Sequence, residues 1–151
     1  MELYKGSVFN NADLDDEHTR ILNNLDQFKN CVNDIYFSPK LAAALLAALL
    51  SNLDEHFRHE ETLMNETRYS HAESHTMEHE NLMTTARELS KGFLSGPSQI
   101  EGGIVYDFLN EWLINHSVRA DCVVGNYFQA HQERPTQDNV PDQVYAFALQ
   151  A

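Results

Sequence analysis

Between His56 and His79 the sequence twice sets metal-type side chains four residues apart: His56 with Glu60, and His75 with His79. Residues four apart on a helix lie above one another on one face. Two such pairs on neighbouring helices can aim four nitrogen and oxygen donors at one point. Imidazole combined with carboxylate suits zinc, iron, copper or nickel. This stretch holds five of the eight histidines of the chain. It constrains the fold to one in which helical faces meet around a polar centre.

The rest of the chain supplies such helices. Asp13, Asp15 and Asp16 offer cap and first-turn acids for a first helix. Ile21, Leu22, Leu25, Phe28, Val32 and Ile35 then follow at helical spacing, and His18 shares their inward face. Ser38-Pro39 starts a second helix that runs to about Glu66, with Leu41, Leu45, Leu46, Leu49, Leu53, His56 and Glu60 on one side. After a break at residues 67–69, Ser70 and Glu73 read as a capping box for a third helix. It carries His75, His79, Leu82, Met83, Ala86 and Leu89 and ends near Leu94. Gly102-Gly103 marks the start of a fourth, with Ile104, Val105, Phe108, Leu109, Trp112, Leu113 and His116 as its stripe. A short helix over 122–129 follows. No stretch alternates at period two. The expected fold is all-α: an up-down-up-down four-helix bundle, as short connections favour, with a short extra C-terminal helix. One unit is expected over residues 1–131. Residues 132–151 are polar and proline-broken, then apolar from Val144 to Leu149, and read as a linker and a tail, whose apolar end could dock on the body or on a protein partner or be a simple extension.

The formal charge of -13 argues against nucleic acid or an anionic membrane surface as partner. The longest apolar run, Leu41 to Leu50, is too short to span a bilayer. Residues 1–6 have neither the basic region nor the apolar region of a signal peptide. Cys31 and Cys122 form no CxxC motif and fit free thiols in a reducing cytoplasm.

A bundle of this kind builds metal sites from side chains on facing helices. Listing inward residues gives His18 from the first helix, His56 and Glu60 from the second, His75 and His79 from the third, and His116 with Asp121 from the fourth. Five imidazoles and two carboxylates are too many for one ion and enough for two, with Glu60 and Asp121 the natural bridges. One spacing resists. Residues five apart on a regular helix are ~140° apart around its axis, so the helix must end or distort between His116 and Asp121. His59 reads as a rim residue, His71 lies a turn away from the site, and His131 as solvated. Met64, Met77 and Met83 read as core filler.

His18 after an acidic cap, His56-Phe57-x-x-Glu60-Glu61-x-Leu63-Met64, His75-x-x-x-His79 and Trp112-Leu113-Ile114-Asn115-His116-x-x-x-x-Asp121 together resemble the hemerythrin family, especially its bacterial members. The resemblance covers about residues 12–128. It implies a four-helix bundle around a non-haem di-iron centre that binds dioxygen. Carried over, one iron is held by His75, His79 and His116, and the other by His18 and His56. Glu60 and Asp121 bridge them, together with an oxo or hydroxo group. The iron with two histidines keeps an open position for oxygen. The chain departs from the bacterial pattern in its N-terminal arm, which has Tyr4 and Phe9 but no tryptophan. The tail from Gln132 lies outside the resemblance.

Two Fe(II), two carboxylates and a hydroxide sum to +1, and so does the oxygenated state that the resemblance implies. No net charge then has to enter a low-dielectric core. Ile21, Leu22, Phe57, Trp112 and Ile114 fall within a turn of the ligands and can form a dry lining as well as ordinary core packing. Ferritin-type di-iron enzymes carry Glu-x-x-His on two helices, and no Glu-x-x-His occurs here. The expected role is thus an oxygen-binding protein, not an enzyme. A sensor of oxygen, redox state or nitric oxide read by a protein partner, and a di-iron oxidase or peroxidase, are the rival classes.

Overall fold

The computed structural model describes residues 11–133. Helices α1 (Ala12–Asn33), α2 (Pro39–Glu66), α3 (Ala72–Ser95) and α4 (Gln99–His116) form the bundle. A π-helical stretch, Ser117–Asp121, leads into α5 (Cys122–Glu133). The α1 helix packs on α2 and α4, and α3 packs on the same two, so the four close into a ring. No strand occurs among the described residues. No described helix is long and apolar enough to cross a membrane. The N-terminal arm and the tail proposed to meet a partner lie outside the described residues, and the helix continues two residues into the stretch read as linker.

Three helices start on a polar cap. Asn11 accepts from the Leu14 N–H, Ser38 from Leu41 and Ser98 from Glu101, at 3.1, 3.2 and 3.2 Å. Pro39 fills the first turn of α2, where its missing N–H costs nothing. The third helix departs from expectation: its cap is His71, with no side-chain bond, and the Ser70–Glu73 box does not form. The cause lies in how α2 ends. The Tyr69 N–H returns to the Met64 carbonyl and the Arg68 N–H to Asn65, at 2.8 and 3.2 Å. This is a Schellman exit, with Arg68 in the left-handed region at φ 57 where glycine is usual. The chain leaves that turn with the first α3 bond running from the His75 N–H to His71, one residue too late for Ser70 to cap it.

The main core takes Leu25, Phe28 and Val32 from α1, Leu46, Leu49 and Leu53 from α2, Leu82 and Phe93 from α3, and Leu109 and Leu113 from α4. Each such side chain contributes about 1.5–3 kcal/mol when fully buried. Four expected members are exposed. Ile35 is 87% exposed because α1 stops at Asn33. Its last carbonyls are met instead by Gln99, whose Nε2 donates to the Val32 and Asp34 carbonyls at 2.9 Å each. Leu41 points out because Ala42, ~100° round the helix, takes the inward place. Ile104 and Met77 also face outward. The fourth helix starts before Gly102, and that glycine has a packing role. A Cβ there would meet Val32 Cγ2 at 2.8 Å, so α4 and α1 touch backbone to side chain.

A second apolar cluster, Leu14, Met64, Val124 and Phe128, closes the other end, with Tyr69 and Tyr127 against it. The Tyr127 hydroxyl donates to the Thr67 carbonyl and pins α5 to the end of α2. The polar residues of the predicted site lie on the stretches of helix between these two clusters, which explains why they are dry.

Candidate metal centre

All seven predicted ligands are buried: His18, His56, Glu60, His75, His79, His116 and Asp121. Five of them, Glu60, His75, His79, His116 and Asp121, each place one ligand atom within 4.8 Å of all the others. His75 Nε2 lies 3.2 Å from both Glu60 Oε1 and Asp121 Oδ1. His116 Nε2 is 2.9 Å from Asp121 Oδ1, and His79 Nε2 is 3.5 Å from Glu60 Oε2. The π-helical stretch resolves the awkward five-residue spacing. Its turn is closed by an i→i+5 bond from the Cys122 N–H to the Ser117 carbonyl, which brings His116 and Asp121 onto one face.

The structure does not bring His18 and His56 into the group of five. Their rings lie side by side, with centres 6.3 Å apart. His18 Nε2 is 3.0 Å from the Ser117 hydroxyl. Phe57 stacks on His79 with ring centres 3.9 Å apart, and Trp112 on His116 at 4.3 Å. Both aromatics thus cover the three-histidine side. Ile21 and Leu22 are buried one turn beyond His18, while Ile114 is half-buried and joins neither apolar cluster. His71 is exposed.

The group of five fits a cation. Glu60 Oε1 and Oε2, His75 Nε2 and Asp121 Oδ1 are buried without a hydrogen bond, although each has a polar neighbour. They converge at short range without the angles a hydrogen bond needs, as ligands to a shared ion do. His79 and His116 make the same point. Each donates Nδ1–H to a carboxylate, Glu61 and Glu78, at 2.8 Å. An ionised carboxylate can only accept, so Nδ1 of each ring carries a proton, and Nε2 of His79, where that ring is neutral, keeps its lone pair. His79 Nε2 and His116 Nε2 face each other at 3.1 Å, a place that either a shared proton or a cation can fill.

The electrostatics agree. Burial, with His116 and His75 nearby, pushes the His79 pKa down to about 2, so His79 is neutral. Burial also acts to lower His75, but Asp121 and Glu60 outweigh it and hold that imidazole protonated up to about 9. Burial and then the Asp121 charge raise the Glu60 carboxyl above its ordinary value. Burial acts to raise Asp121 too, but the close approach of the His116 and His75 imidazoles prevails and holds it well below the ordinary carboxylate range. Protons thus compete for the place a metal cation would take.

Sequence reasoning missed the residues that brace this site. Glu17 on α1 accepts from His56 Nδ1 on α2 at 3.0 Å. Glu61 on α2 accepts from His79 on α3, and Glu78 on α3 from His116 on α4. Ser117, after α4, meets His18 on α1. Each bracing residue is the chain neighbour of a predicted ligand, so it sits ~100° round its helix from the core direction. It precedes the ligand on α1 and α3 and follows it on α2 and α4. Reversing the chain direction reverses the sense of that offset. All four braces therefore turn the same way around the bundle, each helix holding the ligand of the next. Glu17-His18, Glu60-Glu61, Glu78-His79 and His116-Ser117 were the signal.

The four helices thus enclose a buried group of five side chains able to hold a cation. A family model described as "Hemerythrin HHE cation binding domain" matches residues 10–121, and the chain belongs to the hemerythrin family. A bacteriohemerythrin of Methylococcus capsulatus is 31% identical over 80 residues, which is 53% of this chain. The match spans 60% of that relative's length. A crystal structure of wild-type hemerythrin superposes with a TM-score of 0.69 at 26% identity, covering 78% of this chain and 88% of that one.

Proposed function

We propose that this chain binds dioxygen reversibly at two iron ions. The observation that carries the reading is the convergence of Glu60, His75, His79, His116 and Asp121, with four buried donor atoms left without hydrogen bonds. His75, His79 and His116 would hold one ion and His18 with His56 the other. Glu60 and Asp121 would bridge them alongside an oxo or hydroxo group. The iron pair, when bound, supplies electrons that dioxygen takes up and gives back.

The chain's own residues do the rest. Glu17, Glu61 and Glu78 fix the ring orientations of His56, His79 and His116, so that Nε2 of each faces inward. Phe57 and Trp112 lie flat on His79 and His116 and keep water from that side, and Ile21 and Leu22 line the α1 side. The iron-holding unit comprises residues 1–131, with the remainder an appended tail. The two free thiols, Cys31 and Cys122, suit a reducing compartment such as the cytoplasm.

The test is anaerobic reduction followed by oxygen titration, watched by visible absorption. An oxygenated spectrum should appear and be reversed under vacuum over several cycles. Irreversible bleaching with substrate-dependent turnover would replace the carrier reading with a di-iron oxidase or peroxidase.

A further inference from the structure

The three bracing carboxylates are held differently. Glu17 divides its oxygens between His56 and the half-exposed His59, at 3.0 and 2.9 Å. Glu78 is gripped from outside by a guanidinium fork: Arg119 Nη1 donates to Oε1 and Nη2 to Oε2, both at 2.9 Å. Its Oε2 also accepts from His116 at 2.8 Å. Arg119 is 65% exposed and touches no predicted ligand in these contacts. Its place in the chain gives it leverage. It sits at the middle of Ser117–Asp121, the π-helical turn that lets His116 and Asp121 share one face.

We propose that Arg119 and Glu78 form a clamp that locks the π-helical turn against α3 and so positions His116 and Asp121 as metal ligands. π-turns are rare because the ordinary i→i+4 pattern competes with them. Rewinding this turn as regular helix would carry Asp121 ~140° away from His116. It would also rotate Arg119 off Glu78. A bidentate fork tolerates little rotation, unlike a lysine ammonium, which is a point charge on a flexible stem. The His116 ring also stacks on Trp112, so the imidazole is held on one face by the indole and at its Nδ1 edge by the clamped carboxylate. Arg119 and Glu78 are positioning residues: they act through His116 and Asp121.

The inference rests on the di-iron reading above, and the experiment separates the two. Wild type, Arg119→Ala, Arg119→Lys and a control, Asp54→Ala, are loaded with Fe(II) without air and challenged with excess ferrous chelator. Asp54 pairs with Arg58 at 2.6 Å and Arg87 at 3.4 Å, ion pairs with exposed arginines and no part in the turn. Parallel samples carry Co(II), whose visible bands report ligand geometry, and metal-free samples are melted. An exposed ion pair adds little to stability, so the metal-free melting temperatures of Arg119→Ala and Asp54→Ala should stay close to that of wild type. Arg119→Ala should release iron about 10-fold faster or more, the usual range for loss of an outer-shell partner, with shifted cobalt bands. Arg119→Lys should stay nearer to alanine than to wild type. Asp54→Ala should release at the wild-type rate. A wild type that takes up no iron overturns the di-iron reading and the clamp with it. A wild type that holds iron while Arg119→Ala releases it at the same rate with unchanged cobalt bands overturns the clamp alone. Full rescue by lysine would show that charge, not the fork, does the holding, and overturns it too.

Discussion

At the Val32 end of the bundle the helices meet through hydrocarbon. Phe28 and Phe93 cross edge to face with centres 5.8 Å apart, and Gly102 lets α4 lie against Val32. Toward the α5 end the same four helices meet through imidazole and carboxylate, with Glu60 fully buried and both its oxygens unbonded. The first region stabilises the fold by removing apolar area from water. The second costs stability until something positive occupies it, since a buried polar atom without a partner costs about 1–3 kcal/mol. The two regions should therefore respond differently to mutation, metal and pH.

The largest contrast comes from exchanging the site of damage. His75→Ala removes an imidazole that meets both bridging candidates, and iron per chain should fall by one or both ions on metal analysis. Phe93→Ala should leave iron content at the wild-type value but cost about 3–5 kcal/mol of stability. That corresponds to a fall of roughly 10–15 °C in melting temperature for a chain of this size. If both substitutions lowered iron and melting together, the regions would not be independent.

The next effect is one of pH. His75 holds its proton up to about 9 in the metal-free protein, against an ordinary 6.5. Because its folded value is raised, that proton stabilises the metal-free fold fully below pH 6.5, and the contribution is lost as pH rises through about 9. A cation has to displace the same proton, so iron affinity should rise over this window. The gap in melting temperature between loaded and metal-free protein should widen from pH 6.5 to 9. A gap that stays constant would mean that His75 does not exchange its proton for metal.

The smallest effect belongs to the hydrocarbon end. Gly102→Ala drives a Cβ into Val32, and overpacking costs about 1–3 kcal/mol. Alanine's better helix propensity returns about 1 kcal/mol of that. A fall of a few degrees with unchanged iron content is expected. A rise in melting temperature would show that Val32 gives way freely.

Most of this division was legible in the chain. The α2 helix was readable to the residue, because Ser38-Pro39 and the break after Glu66 are local signals. The five residues that converge, Glu60, His75, His79, His116 and Asp121, were readable because metal-type side chains at helical spacing have few other uses, and the conflict between His116 and Asp121 pointed to the distortion that the π-helical stretch provides. What failed depended on neighbours. The Ser70–Glu73 box lost to the Schellman exit through Arg68, which leaves no mark but an unexpected φ. The outward turn of Ile35 follows from where α1 ends, and the role of Gly102 from which helix lies across it. The bracing carboxylates required knowing which helix packs on which. Glu17, Glu61 and Glu78 look like ordinary surface acids until α1 through α4 are placed in a ring.

On this reading the buried polar region takes up two metal ions and is not merely a structural network. Anaerobic titration of the metal-free protein with Fe(II), with iron counted per chain and melting followed at each step, tests it most directly. Two equivalents should bind per chain, and the melting temperature should climb until the second is taken up. Uptake of one ion or none, or equal melting with and without iron, would contradict it.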